Sequence, residues 1–172
     1  MGRAIAEACL ALGADVEVIG REEMSSRDLE RALKAALHQP VDVLFMTAAV
    51  ADYRPKKVSS TKLKRDLKQP ALAAVQWEAT PDILQSVAQK GSHRPKVVVG
   101  FCLVDRDLKK QTQEKRKRKN ADVMIGNTPE NLGSDDAKVL WCDARTSETI
   151  TGSKTLVAMQ LIEKVAAIFW RK

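Results

Sequence analysis

Apolar positions along this chain switch repeatedly between helical and strand spacing. Ile5, Cys9 and Leu12, with Ala4 and Ala8 between them, recur every three or four residues. That spacing predicts a helix ending at Gly13, a residue suited to the left-handed position after a helix. Residues 15–19 (DVEVI) alternate and are rich in β-branched side chains, which predicts a strand. Ser25 or Ser26 caps a predicted helix to about Leu37, with Leu29, Leu33 and Leu37 on one face. Residues 41–47 (VDVLFMT) form a nearly continuous apolar run, as in a strand covered on both faces of a parallel sheet.

Residues 49–70 break this rhythm, holding Pro55 and Pro70 among many Lys and Arg residues. A connection this long inside an ordered pattern is usually functional. The chain then returns as a strand over residues 72–78. Thr80-Pro81-Asp82 predicts a helix start, with Thr80 as N-cap and Pro81 in the first position. Residues 96–101 predict a second buried strand, 107–119 a helix and 122–125 a third strand. A Gly/Asn/Pro/Ser/Asp-rich loop over 126–136 leads to a late strand at 138–142. A closing helix spans 153–169, with Leu156, Met159, Ile162 and Ala166 expected inward.

Helices alternating with short apolar strands argue for one α/β domain over residues 1–172 with a mostly parallel sheet. Ligands of such sheets sit beyond the carboxyl ends of the strands. The loops after Thr47, Phe101 and Ile125 are therefore expected to share one edge, and that edge to carry the site. The chain opens on a helix where such a fold usually opens on a strand, so a first βα unit is expected to be missing.

Composition narrows the class. The apolar share of 44% and charged share of 30% are those of a globular chain. No apolar run reaches the roughly 18–20 residues needed to cross a bilayer, and no secretory leader pattern opens the sequence. A cytoplasmic protein that engages no membrane is expected. Cys9, Cys102 and Cys142 are far apart without paired spacing, and His38 and His93 are the only histidines. Three reduced thiols follow, rather than a zinc site or a disulfide framework. The net charge of +7 suits a phosphorylated small molecule, a nucleic acid or an anionic surface equally well.

Four groups of residues can carry chemistry. Ala48 and Ala49, at a strand end, admit a flat ring or a backbone closely, and Asp52 offers an acceptor for a ribose hydroxyl or a ligand for Mg²⁺. An ordinary strand exit with a solvated Asp explains the same residues. Lys62 and Lys64, two apart, share a side if extended and suit a polyphosphate; a solvated basic loop is the alternative. Phe101 is expected at a strand end, where its face can meet a base. Lys115 and Lys119 lie one helical turn apart on a common face, as a phosphate clamp or simply a solvated surface. The helix start at Pro81, Asp82, Ile83 and Leu84 offers free N–H groups, or is a plain cap. Asn127 and residues 133–135, in the loop after the third strand, can touch a substrate or merely form a turn.

Taken in order, these motifs resemble the phosphopantothenoylcysteine synthetase family, the CoaB part of bifunctional CoaBC (Dfp) proteins. The likeness runs through MGRAIAEA at the start, AAVADYRP at 48–55, KLKR at 62–65, TPDIL at 80–84, VGF at 99–101, KRKRKNAD at 115–122, Asn127 and GSD at 133–135. The resemblance implies a three-layer, Rossmann-like α/β/α sandwich that forms a homodimer. It also implies a ligase of coenzyme A biosynthesis. CTP, with Mg²⁺, activates 4′-phosphopantothenate as an acyl-cytidylate, and the amine of L-cysteine displaces CMP to give an amide. Carried over residue by residue, Asp52, Lys62, Pro81, Asp82, Ile83, Leu84, Phe101, Lys115 and Lys119 are expected to contact CTP. Ala48, Ala49 and Asn127 are expected at the substrate, Asp52 at the metal, and Lys62 as the catalytic cation that stabilises charge during acyl transfer.

The sequence departs from the family pattern in three places. The family's opening strand, Gly-rich turn and Asn-containing loop have no counterpart before Met1. Arg65 stands where a third Lys is usual, and Thr80 where Asn commonly precedes Pro-Asp. No flavin is expected in this chain, since the decarboxylase that uses one would be a fused or separate domain upstream. Two other functions compete: a truncated module that binds CTP without full activity, and a nucleic-acid-binding domain using residues 115–119. The second is poorly supplied, because aromatic residues make up only 4% of the chain and none interrupts that basic block.

Overall fold

The structure is a computed structural model, and it describes residues 1–20, 24–57, 75–131 and 133–171. Contacts divide the chain into two compact units. One comprises Met1–Ala49 and Ile83–Lys172, and the other Val50–Asp82.

The larger unit begins with α1 (Gly2–Ala11), whose Ile5 and Ala8 are buried. The helix ends as its spacing predicts. Gly13 takes φ +84°, its N–H donates to Leu10 O, and Ala14 N–H donates to Cys9 O. This pair of bonds satisfies carbonyls that the last turn would leave open. Residues 14–20 form no strand despite their alternation, and Val18 is 72% exposed. Alternation yields a strand only where a neighbour supplies ladder hydrogen bonds, and none of the described strands pairs with this segment. Helix α2 (Ser26–Ala36) is capped by the Ser25 hydroxyl, which accepts from Asp28 N–H, and buries Leu29 and Leu33.

Strand β1 (Val43–Met46) lies at the border of a five-stranded sheet, beside β4 (Val97–Leu103). Its residues are mostly half-buried, not enclosed on both faces as the apolar run implies, and among the described strands it pairs with β4 alone. β4 pairs in parallel with β1 and with β5 (Val123–Asn127). Beyond β5, β6 (Asp136–Cys142) and β7 (Ser147–Ser153) continue antiparallel. Four of the five strands thus run one way, with β6 opposed.

Helices cover both faces. The buried residues of α1 and of α5 (Lys154–Phe169) pack on Val97, Val99, Val123, Ile125, Val139 and Trp141. On the other face lie α3 (Ile83–Val87) and α4 (Leu108–Arg118). Gly100 faces Leu84 of α3, and Gly126 faces Leu108 and Thr112 of α4, so closely that a methyl group at either glycine would collide. In α5 the buried face is Val157, Ala158, Leu161 and Val165. Of the four residues expected inward, Leu156 and Met159 are 47% and 48% exposed, while Ile162 and Ala166 are half-buried. The run from Leu156 to Ile162 is apolar on nearly every side, so spacing alone does not select the seam.

The smaller unit holds a short antiparallel ribbon of β2 (Tyr53–Pro55) and β3 (Trp77–Ala79). Arg54 and Glu78 are register partners, joined by an ion pair of 2.8 Å. Of the strand expected at 72–78, Trp77 and Glu78 fall in β3, residues 75–76 form no strand and 72–74 lie outside the described residues, while β2 emerges from what the sequence marks only as a basic connection. The three cysteines are free thiols. Among the described residues, no helix is long and apolar enough to cross a membrane.

Candidate functional site

Parallel pairing of β1, β4 and β5 brings their carboxyl ends to one edge of the larger unit, as expected from the sequence. Ala48 and Ala49 follow β1 there and are exposed. At the ends of β4 and β5, Leu103 and Asn127 are register partners, and Val104 N–H donates to Asn127 O at 2.8 Å. Asn127 therefore closes a strand at the edge and does not belong to the loop beyond it.

Helix α4 supplies the charge. Lys115 and Lys119 sit on one half-buried face, with exposed Lys117 and Arg118 turned away from it. The Lys115 ammonium donates to Leu103 O at 3.1 Å, which places it over the carboxyl end of β4. Beneath it, Cys102 Sγ donates to the fully buried Thr112 hydroxyl at 3.9 Å. Burial pushes the Cys102 thiol pKa up, opposed by the Thr112 hydrogen bond and by the charges of Lys115 and Lys119. Of the two ammonium groups, Lys115 is the one held at the sheet edge by a hydrogen bond.

Phe101 is not at the strand end, because β4 runs on to Leu103. It is half-buried and packs against the core on the α1 and α5 side, whereas Cys102 faces α4. Adjacent strand residues point to opposite faces, so Phe101 and the two lysines approach the edge from different layers. The lysine positions are legible from helical spacing. The depth of Phe101 is not, because it depends on where pairing with β5 stops.

The helix start also differs from its sequence signature. Thr80 is not the N-cap, since α3 begins at Ile83. The ribbon continues one hydrogen bond past β3, from Thr80 N–H to Asp52 O at 2.8 Å, and Pro81 has no N–H, so helical bonding starts later. Ile83 and Leu84 are buried, so their side chains serve the core and only their backbone can meet a ligand. Pro81 is exposed and Asp82 half-buried. In the smaller unit Asp52 is exposed. Lys62, Lys64 and Arg65 lie outside the described residues. Among the described residues, no three His, Cys, Asp or Glu side chains gather as a metal site.

Comparison with known proteins places this chain in a family. The chain is 28% identical over 188 residues to the coenzyme A biosynthesis bifunctional protein CoaBC of Bacillus subtilis (strain 168), an alignment covering 98% of this chain and 45% of that protein. The chain thus spans about half the length of the curated relatives it matches. Its fold is similar to the crystal structure of the C-terminal domain of CoaBC, with a TM-score of 0.73 at 23% identity, covering 99% of this chain and 83% of the other. It is also similar to a Cab2 mutant in complex with phosphopantothenate-cysteine, with a TM-score of 0.65 at 15% identity, covering 85% of this chain and 51% of that one. Residues 1–169 match the DNA/pantothenate metabolism flavoprotein C-terminal domain, and the chain belongs to that family.

Proposed function

We propose that this chain is the CTP-dependent ligase part of a phosphopantothenoylcysteine synthetase. The observation that carries this function is the Lys115 ammonium held at the carboxyl end of β4, in a chain that matches the family over residues 1–169. A triphosphate needs compact cations at the edge where strand ends and helix faces leave room, and a Lys ammonium suits a point contact with its oxygens. The names of the relatives, coenzyme A biosynthesis proteins and a complex with phosphopantothenate-cysteine, supply the substrate class.

The carboxylate of 4′-phosphopantothenate attacks the α-phosphorus of CTP, forming the acyl-cytidylate and releasing pyrophosphate. The amine of L-cysteine then attacks the acyl carbon, CMP leaves, and the amine proton passes to solvent or a base. Lys115 and Lys119 hold phosphate oxygens as charge moves onto the leaving group. Lys62 is assigned the same task during acyl transfer, and Asp52, Pro81, Asp82, Ile83, Leu84 and Phe101 further contacts to CTP. Ala48, Ala49 and Asn127 line the substrate. Mg²⁺ keeps several waters and takes one or two carboxylates plus substrate phosphates, so an exposed carboxylate such as Asp52 fits that ion. The ion would neutralise triphosphate charge. We assign the protein to the cytoplasm as a homodimer with both units in one ligase domain, alongside a fused or separate decarboxylase domain.

Mass spectrometry of reactions containing 4′-phosphopantothenate, L-cysteine and Mg²⁺ with CTP, ATP or GTP tests this function. Acyl-cytidylate and amide product are expected with CTP. Nucleotide binding without either product would instead describe a binding module, and no nucleotide-dependent product or binding would overturn the assignment.

A further inference from the structure

A buried hydroxyl in the smaller unit has no partner: among the described residues, Thr80 Oγ1 is enclosed and makes no hydrogen bond. A hydroxyl carries one donor and two acceptor sites, and leaving them unmet away from water is unfavourable. The usual duty of a Thr before Pro-Asp, capping a helix, is not performed here, because α3 begins at Ile83. Valine has the same shape and would fill the position without that penalty.

The surroundings indicate what the hydroxyl is for. Thr80 N–H donates to Asp52 O at 2.8 Å, one step beyond the Tyr53–Ala79 register pair. Residues opposite each other in an antiparallel ribbon carry their side chains on one face, about 4.5–5.5 Å apart at Cβ. Positions 52 and 80 therefore lie on one face of the ribbon, the first with an exposed carboxylate, which only accepts, and the second with an enclosed hydroxyl, which can donate. That pairing matches a ligand edge with a donor next to an acceptor, such as a ribose hydroxyl or the amino-and-carbonyl edge of a base.

We propose that Thr80 is a nucleotide-binding residue whose hydroxyl is satisfied by an uncharged hydrogen-bonding edge of the nucleoside beside Asp52. This inference rests on the CTP assignment above and adds a contact that the sequence motif gives only as a helix cap.

Titration calorimetry of the wild type, Thr80→Val and Thr80→Ser with CTP and 2′-deoxy-CTP, in Mg²⁺, tests it, together with melting temperatures without ligand. Thr80→Val is expected to melt no lower than wild type yet to bind CTP about 5- to 30-fold more weakly, while Thr80→Ser stays within about threefold. Loss of discrimination against 2′-deoxy-CTP in Thr80→Val would place the contact on the ribose, and equal weakening for both nucleotides would place it on the base. Wild-type affinity in Thr80→Val, whether or not its melting temperature falls, would overturn the inference while leaving the CTP assignment standing. A wild type that binds no CTP would remove that assignment and the inference with it.

Discussion

Lys115 and Lys117 are two residues apart on the same basic helix, yet they have different surroundings. Lys115 is half-buried and reaches Leu103 O over the strand end, whereas Lys117 is exposed. A hydrogen bond to a charged group contributes about 1.5–3 kcal/mol, so Lys115→Met is expected to weaken CTP binding by about 10- to 150-fold. Lys117→Met is expected to change it less than twofold, as read by titration calorimetry. Helical spacing made this distinction legible for Lys115 and Lys119. It could not show that, among the described residues, the Thr80 hydroxyl lacks a partner, because that depends on α3 starting only at Ile83. A second residue-scale case is Asp143. Burial pushes its carboxyl pKa up, but N–H groups of Thr146 and Arg145, the Trp141 indole and the Thr146 hydroxyl outweigh this and hold it below the ordinary value. A depressed folded-state pKa stabilises above the unfolded value, about 3.9, and that contribution is lost as pH falls through the folded value. Denaturant unfolding from pH 7 to pH 2 should therefore show a loss of stability in wild type that Asp143→Asn lacks over the acidic part of the range.

Elements are seated on the sheet by close approach. A methyl group at Gly126 would overlap Thr112 Oγ1 and stand 2.9 Å from Leu108 Cδ1, pressing α4 off the strand whose end it serves. Gly126→Ala is expected to cost about 1–3 kcal/mol in urea unfolding and to weaken CTP binding, because the lysines move with the helix. Distant from that edge, Arg94 binds Asp122 at 2.8 Å, each side chain 17% exposed, and also donates to Ala88 O and Pro95 O. Asp122 in turn accepts from Val98 N–H. Removing one partner of a largely buried pair leaves the other charge stranded, so Arg94→Met is expected to cost about 2–4 kcal/mol in the same assay. CTP affinity should be preserved where the variant remains folded. Elements whose signal is local were legible: the cap of α2, the glycine end of α1 and the valine-rich β4. Strand β7 was not, since SETITGS buries only Ile150 and owes its form to pairing with β6. The DVEVI segment shows the converse, a strand pattern with none of the described strands beside it.

For the whole molecule, alternation of helices and apolar strands was enough to give the layered architecture, because each βα step buries a strand between helices. The same order located the carboxyl edge before any residue role was assigned. The particular nucleotide is a matter of motif, since cations at a sheet edge accept any triphosphate and a base is chosen by contacts that spacing does not reveal. Thermal melting with Mg²⁺ and CTP, set against ATP and GTP, tests that choice most directly. At about 100 times its dissociation constant a ligand adds ~2.7 kcal/mol, so CTP should raise the melting temperature by several degrees, with ATP and GTP giving far smaller shifts at equal concentration. Equal shifts with all three nucleotides, or none with CTP, would contradict the account.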